Sequence, residues 1–143
     1  MANSIFTPAR EGFLDATIDL DTAVIKAVLV RSYTYSASHK FVSDVTGAGG
    51  VLAGTPQTLT SKSVTGGVFD AADVTFSAVA ANASGHSVLI YQASAVGGGA
   101  DVAATAQRVI GYYDTGTLLP VTPNGGDITV AWDNGSNKIF AIA

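Results

Sequence analysis

The alternation of apolar and polar positions is clearest near residue 130. In Asp127-Ile128-Thr129-Val130-Ala131-Trp132, the side chains of Ile128, Val130 and Trp132 fall on one side of a period-2 strand, and Ile139 to Ile142 supply a second apolar stretch after Asn134-Gly135. Asn and Gly take positive φ with little strain, so the pattern predicts a β-hairpin over 127–142. A lone hairpin is marginal in water and needs a partner sheet. The expectation is that this hairpin lies at the centre of the core and that Trp132 or its neighbours pack against the strand Ile25 to Val30.

The rest of the chain carries more such segments. Val24 to Val30 is a β-branched run that reads as a central strand. Thr58 to Val64, Val68-Phe69 after the turn Gly66-Gly67, Val74 to Val79, Ser87 to Tyr91 and Arg108 to Tyr113 are short strands at the spacing of a sandwich or barrel. Two helical stretches are predicted near the amino terminus. Thr7-Pro8 offers a capping hydroxyl and a proline where no amide hydrogen is needed, giving a helix over residues 8–15 that Gly12 weakens. Ser38 offers a cap for one or two turns that bury Phe41 and Val45, ended by Gly47, Gly49 and Gly50. Ala93 to Asp101, low in complexity, is predicted to be a mobile loop or extended excursion. Pro120, Pro123 and Asn124-Gly125-Gly126 make a turn before the final hairpin. The helical stretches are too short to connect parallel strands. The expected fold is therefore all-β: an antiparallel β-sandwich of roughly eight strands with one or two short helices near the amino terminus.

Composition narrows the picture. The 143 residues fit one domain, 1–143, large enough to hold a core without staples. Cysteine is absent, so neither disulfides nor thiolate metal sites are available. Eleven acids against seven bases give a formal charge of -4, which argues against nucleic acid as the main partner. Only 13% of residues are charged while 48% are hydrophobic, which fits either a surface partly covered by other protein or, equally, a small-residue composition with scattered alanines. Met1 to Phe6 lacks a basic region followed by an apolar run, and no uncharged run is long enough to span a bilayer, so neither a signal peptide nor a membrane partner is expected.

Candidate chemistry is sparse. His39 and His86 stand far apart without an HxH or HxxxH partner and read as lone imidazoles at a surface or loop. Glu11 is the only glutamate, so a paired-carboxylate site would need aspartates, and Asp19 with Asp21 or Asp70 with Asp73 are the nearest pairs. The second pair reads as Asx-turn and capping residues. Asp133 to Asn137 resembles the start of a calcium loop but lacks the bidentate acid further on. Gly97 to Gly99 lacks the lysine and hydroxyl of a phosphate loop, and Ser87 after His86 lies in a strand where a nucleophile elbow cannot form. Trp132 reads as a core anchor. As an alternative it joins Tyr33, Tyr35, Tyr112 and Tyr113 as stacking platforms for a carbohydrate or receptor. No catalytic, cofactor-binding or metal-binding residue is assigned.

Several of these segments together resemble small structural proteins of tailed-bacteriophage virions. The resemblance rests on Ile18-Asp19-Leu20-Asp21 with Ile25 to Val30, matching an "IDxDxxxIKxxLV" strand, and on Tyr33 to Ser36 with His39, Phe41, Asp44 and Val45, matching "YTYSxxHxFxxDV". It continues with Gly67 to Val79, Leu89 to Tyr91 and Leu119 to Phe140. The chain departs from the pattern between Ala93 and Gln107, where the glycine-rich stretch is longer. The resemblance implies a non-enzymatic virion component assembled in the host cytoplasm without cofactor. Its implied role is a capsid decoration protein, with a tail or head-tail component as the alternative. Its partners would be the major capsid protein or other virion proteins and further copies of itself.

Overall fold

Both apolar runs at the carboxy-terminal end form strands, but they do not pair with each other. In this computed structural model, which describes residues 3–116 and 119–142, the elements in chain order are β1 (Ser4–Ile5), α1 (Thr7–Leu14), β2 (Ile25–Arg31), α2 (Val42–Gly47), β3 (Val51–Thr58), β4 (Ser63–Thr65) and β5 (Val68–Asp70). They continue with β6 (Val74–Phe76), β7 (Ser87–Gln92), β8 (Ser94–Ala95), β9 (Gly98–Asp101), β10 (Arg108–Tyr113), β11 (Ile128–Val130) and β12 (Phe140–Ala141). The fold is all-β, every ladder is antiparallel, and the two helices are short. A five-stranded sheet in the order β1-β10-β7-β2-β3 carries three smaller sheets, β11-β6, β12-β5-β4 and β8-β9.

Register decides which side chains share a face. Ile25, Ala27 and Leu29 lie opposite Gln92, Ile90 and Val88, which in turn lie opposite Arg108, Gly111 and Tyr113. Lys26 and Val28 lie opposite Tyr91 and Leu89, and these opposite Val109 and Tyr112, on the other face. The first face is covered by α1, the residues after it and Trp132: Arg108 bonds the carbonyl of Pro8, Gln92 accepts the amide of Asp19, and Tyr113 meets the indole edge to face. The second face is covered by Tyr33 and Tyr35, both packed on Tyr112. With both faces covered, every position of β7 and β10 is buried, which is why these strands read as continuous apolar runs instead of alternating ones. Fully buried Leu89 and Ile90 each contribute about 1.5–3 kcal/mol relative to exposure.

Several expectations need correction. The hairpin over 127–142 does not form: β11 pairs with β6, β12 pairs with β5, and residues 131–139 cross from one sheet to the other. The run Val24 to Val30, by contrast, is the interior strand expected: it forms β2, paired with β7 on one side and β3 on the other. Thr7 lies inside α1, whose amino-terminal cap is Phe6 without a side-chain cap bond. Helix α2 begins at Val42, and its cap is the Asp44 carboxylate, which accepts the amides of Lys40 and Phe41 at 2.9 Å each, while Ser38 bonds Ser36. The stretch Ala93 to Asp101 is an extended excursion, the β8-β9 hairpin, which turns at Val96-Gly97 and enters β9 through Gly98 and Gly99 at φ +90° and +97°. Strand β3, absent from the sequence expectation, bulges at Gly54 to Pro56 and resumes pairing on either side.

Candidate functional site

Trp132 follows β11 and is fixed by two bonds to the segment before β6. Its amide donates to Asp73 Oδ1 at 2.9 Å and its indole Nε1 donates to the Ala72 carbonyl at 3.0 Å. The ring is 8% exposed and lies 6.2 Å from Tyr113 in an edge-to-face arrangement. The core reading of Trp132 therefore holds, and it meets the large sheet at Tyr113. Beside these rings lies a cleft of about 520 Å³ that Val130, Leu119 and Ile139 also line, with Asn3, Asp133 and Lys138 among its polar wall residues. Asn3 is engaged there: its side chain accepts the amides of Asp114 and Thr115 and donates to the Thr115 carbonyl.

The other proposed platform rings turn on one another. Tyr112 is buried, with Tyr33 edge-on at 5.3 Å and Tyr35 stacked at 5.6 Å, and Tyr35 packs in turn on fully buried Phe6. Tyr33 and Tyr35 are half-buried. The tyrosines and Trp132 form no shared exposed face. Burial pushes the Tyr33 phenol up to about 12, so it stays protonated at neutral pH, where it bonds His39 Nδ1 at 2.7 Å.

The histidines are not alike. His39 is half-buried and held by Tyr33, whereas His86 is 1% exposed. That burial corrects the surface reading of His86: its backbone bridges to Val121 and its Nδ1 donates to the Ser84 carbonyl at 2.8 Å, the tautomer that this acceptor requires. Asp44, the carboxylate whose charge reaches His39, already caps α2.

The aspartate pairs are not brought together as cation ligands. Asp19 Oδ1 accepts the amides of Asp21 and Thr22, and the hydroxyl of Thr22, followed by these amides, holds its carboxyl below the usual range. Asp70 faces the Lys138 ammonium at 4.0 Å, and Asp73 accepts the distant Trp132 amide instead of a local one. Asp133 and Asn134 to Asn137 are exposed, with the Asp133 carboxylate over the α-carbon of Gly135. Among the described residues no three His, Asp or Glu side chains gather as a metal site.

One constellation escaped the sequence reading. Arg108 is 8% exposed, donates through Nη1 to Thr17 Oγ1 and through Nη2 to the Pro8 carbonyl at 2.7 Å each, and lies over the Phe41 ring. Thr17 passes the polarity on by donating its hydroxyl to Asp15 Oδ1 at 2.6 Å. Gln92 completes the clasp by accepting the Asp19 amide and donating to the Thr17 carbonyl. The available signal was one arginine and one glutamine at the ends of otherwise apolar strands. This arrangement ties α1 and the residues after it to the large sheet.

Among the described residues, exposed large apolar side chains are Leu14 at the end of α1, Val51 at the start of β3, Val64 in β4, Val96 at the β8-β9 turn and Ile142 beyond β12. They lie at edges and tips of different elements. No family model, curated protein or solved structure matches the chain.

Proposed function

We propose that the chain is a non-enzymatic structural protein of a tailed-phage virion, a capsid decoration protein that binds the outer surface of the head in many copies. The observation that carries this reading is the resemblance at residues 18–45 and 67–140. These residues include β2, the tyrosine cluster on the large sheet and the strands of both carboxy-terminal sheets. The disposition of side chains supports it. Of the aromatic groups that a sugar-binding face would need, Trp132, Tyr112 and Tyr113 are buried and Tyr33 and Tyr35 are half-buried against Tyr112, while single apolar residues such as Leu14, Val64 and Ile142 are presented at separate edges. Contacts spread over several edges suit a protein that touches more than one neighbour in a lattice.

A partner that binds only the assembled shell shifts the shell's equilibrium toward assembly by mass action. Contacts made by Leu, Val and Ile are uncharged and depend weakly on salt. The test is to locate the protein in intact particles by electron microscopy and to compare particles with and without it. Many copies over the head, and earlier genome release under heat or osmotic stress in their absence, are expected. Density confined to one vertex or to the tail replaces the decoration reading with the tail or head-tail alternative.

A further inference from the structure

Two asparagines, Asn124 and Asn134, are followed directly by glycine, and both are exposed. Their surroundings differ. Asn124 Oδ1 accepts the amide of Gly126 at 3.0 Å, so its side chain is fixed in an Asx-turn, next to Gly125 at φ +95°. Asn134 lies in the crossing 131–139, outside any strand, and has no side-chain hydrogen bond among the described residues. Its amide is free to rotate toward the next peptide nitrogen.

We infer that Asn134 is a site of spontaneous deamidation through the Asn134-Gly135 peptide, and that the Asx-turn protects Asn124 from the same reaction. In the first step the Gly135 nitrogen gives its proton to solvent and attacks Cγ of Asn134. The bond from Cγ to the side-chain nitrogen breaks, ammonia leaves, and a five-membered succinimide closes. Water then adds to either ring carbonyl and opens the ring to aspartate or to isoaspartate, in which the main chain runs through the side-chain carbon. One ammonia leaves and one water enters, with no change of oxidation state, so solvent is the only co-reactant.

Glycine at 135 matters because it has no side chain to crowd the attacking nitrogen. A Cβ there would sit 2.7 Å from Asp133 Oδ2. That carboxylate is the end of an exposed side chain and can swing away, so Gly135→Ala is a mild structural change that crowds the nitrogen. Conversion places a new carboxylate beside Asp133, in the crossing that carries the cleft residues Trp132, Asp133 and Lys138. The formal charge of -4 gains one further negative unit. This inference is independent of the virion reading.

The test is a time course on the full chain at mildly alkaline pH, read by peptide mass mapping, with a parallel sample in denaturant. Expected in the folded chain is a gain of one dalton at Asn134, split between aspartate and isoaspartate, several-fold ahead of Asn124. In denaturant the two sites should converge, because the Asx-turn is gone. Gly135→Ala should slow conversion at 134 several-fold, and Asn134→Gln, which needs a larger ring, should suppress it. Equal native rates at the two sites, faster conversion at Asn124, or an Asn134 that stays intact while the denatured chain converts would each overturn the inference.

Discussion

At Gly12 two residue-level effects oppose each other, and their sizes decide the sign. In an exposed helix, replacing glycine by alanine gains about 1 kcal/mol. Here the added Cβ would stand 2.7 Å from Ile18 Cδ1 and Cγ1 and 3.0 Å from Arg108 Nη2. Ile18 and Arg108 are buried and cannot yield freely. Overpacking of this kind costs about 1–3 kcal/mol, so Gly12→Ala should lower the denaturation midpoint despite its better helix propensity. The glycine reads as a weak point in the sequence and serves as a close approach in the fold. For Trp132→Ala the expected loss is about 3–5 kcal/mol by chemical denaturation, since a buried ring and the indole bond to Ala72 are both removed. A loss below about 1 kcal/mol would place the ring outside the core.

At the scale of elements, α2 depends on one carboxylate. The Asp44 carboxyl is held below its ordinary value chiefly by the Phe41 amide and then by that of Lys40. A depressed folded pKa means that the cap contributes above the unfolded carboxylate value of about 3.9 and is lost as pH falls through the folded value. Asp44→Ala should therefore cost about 1 kcal/mol at neutral pH, and the gap to the parent should close in acid. The same element shows how far sequence reaches. Residues that bury themselves at α2 were legible from Val45, but the cap was assigned to a serine because the reach of Asp44 back to two amides depends on where the chain turns. Alternation identified β11 and β12 as strands, yet it carries no information on partners 52 to 73 residues away, and Asn134-Gly135 supplied a misleading local answer. Gly54 and Pro56 hid β3 because they act as breakers unless a bulge absorbs them. The tyrosines were legible as a set, while the burial of Tyr112 and Tyr113 follows from the place of β10 in a sheet covered on both faces.

For the whole molecule, titrating groups set the limits of the pH range. On the acid side Asp15, Asp19 and Asp44 all have depressed carboxyls, by Thr17, by Thr22 and by the Phe41 amide respectively. Their contributions are present above about 3.9 and fade below it. On the alkaline side burial raises the phenols of Tyr33 and Tyr91 to about 12 and that of Tyr113 further. A raised folded pKa preserves stability below the unfolded value of about 10 and loses it as pH climbs through the folded one. Thermal melts across pH should give a plateau between these limits with a fall at both ends, and Tyr33→Phe should soften the alkaline fall.

The separate destinations of β11 and β12 also impose an order of events on synthesis. β6 has β11 as its ladder partner, and Phe76, Thr75 and Val74 meet Ile128, Thr129 and Val130 across a long stretch of chain. Closing such a loop costs entropy before any contact repays it, so this pairing is intrinsically slow. While the polypeptide leaves the ribosome, the Val74–Phe76 edge waits without its partner until residue 130 has emerged. In that interval it is a short β-prone segment open to pairing with other nascent chains. The chain thus carries one strand without its ladder partner for much of its own translation, and slower elongation would lengthen that interval.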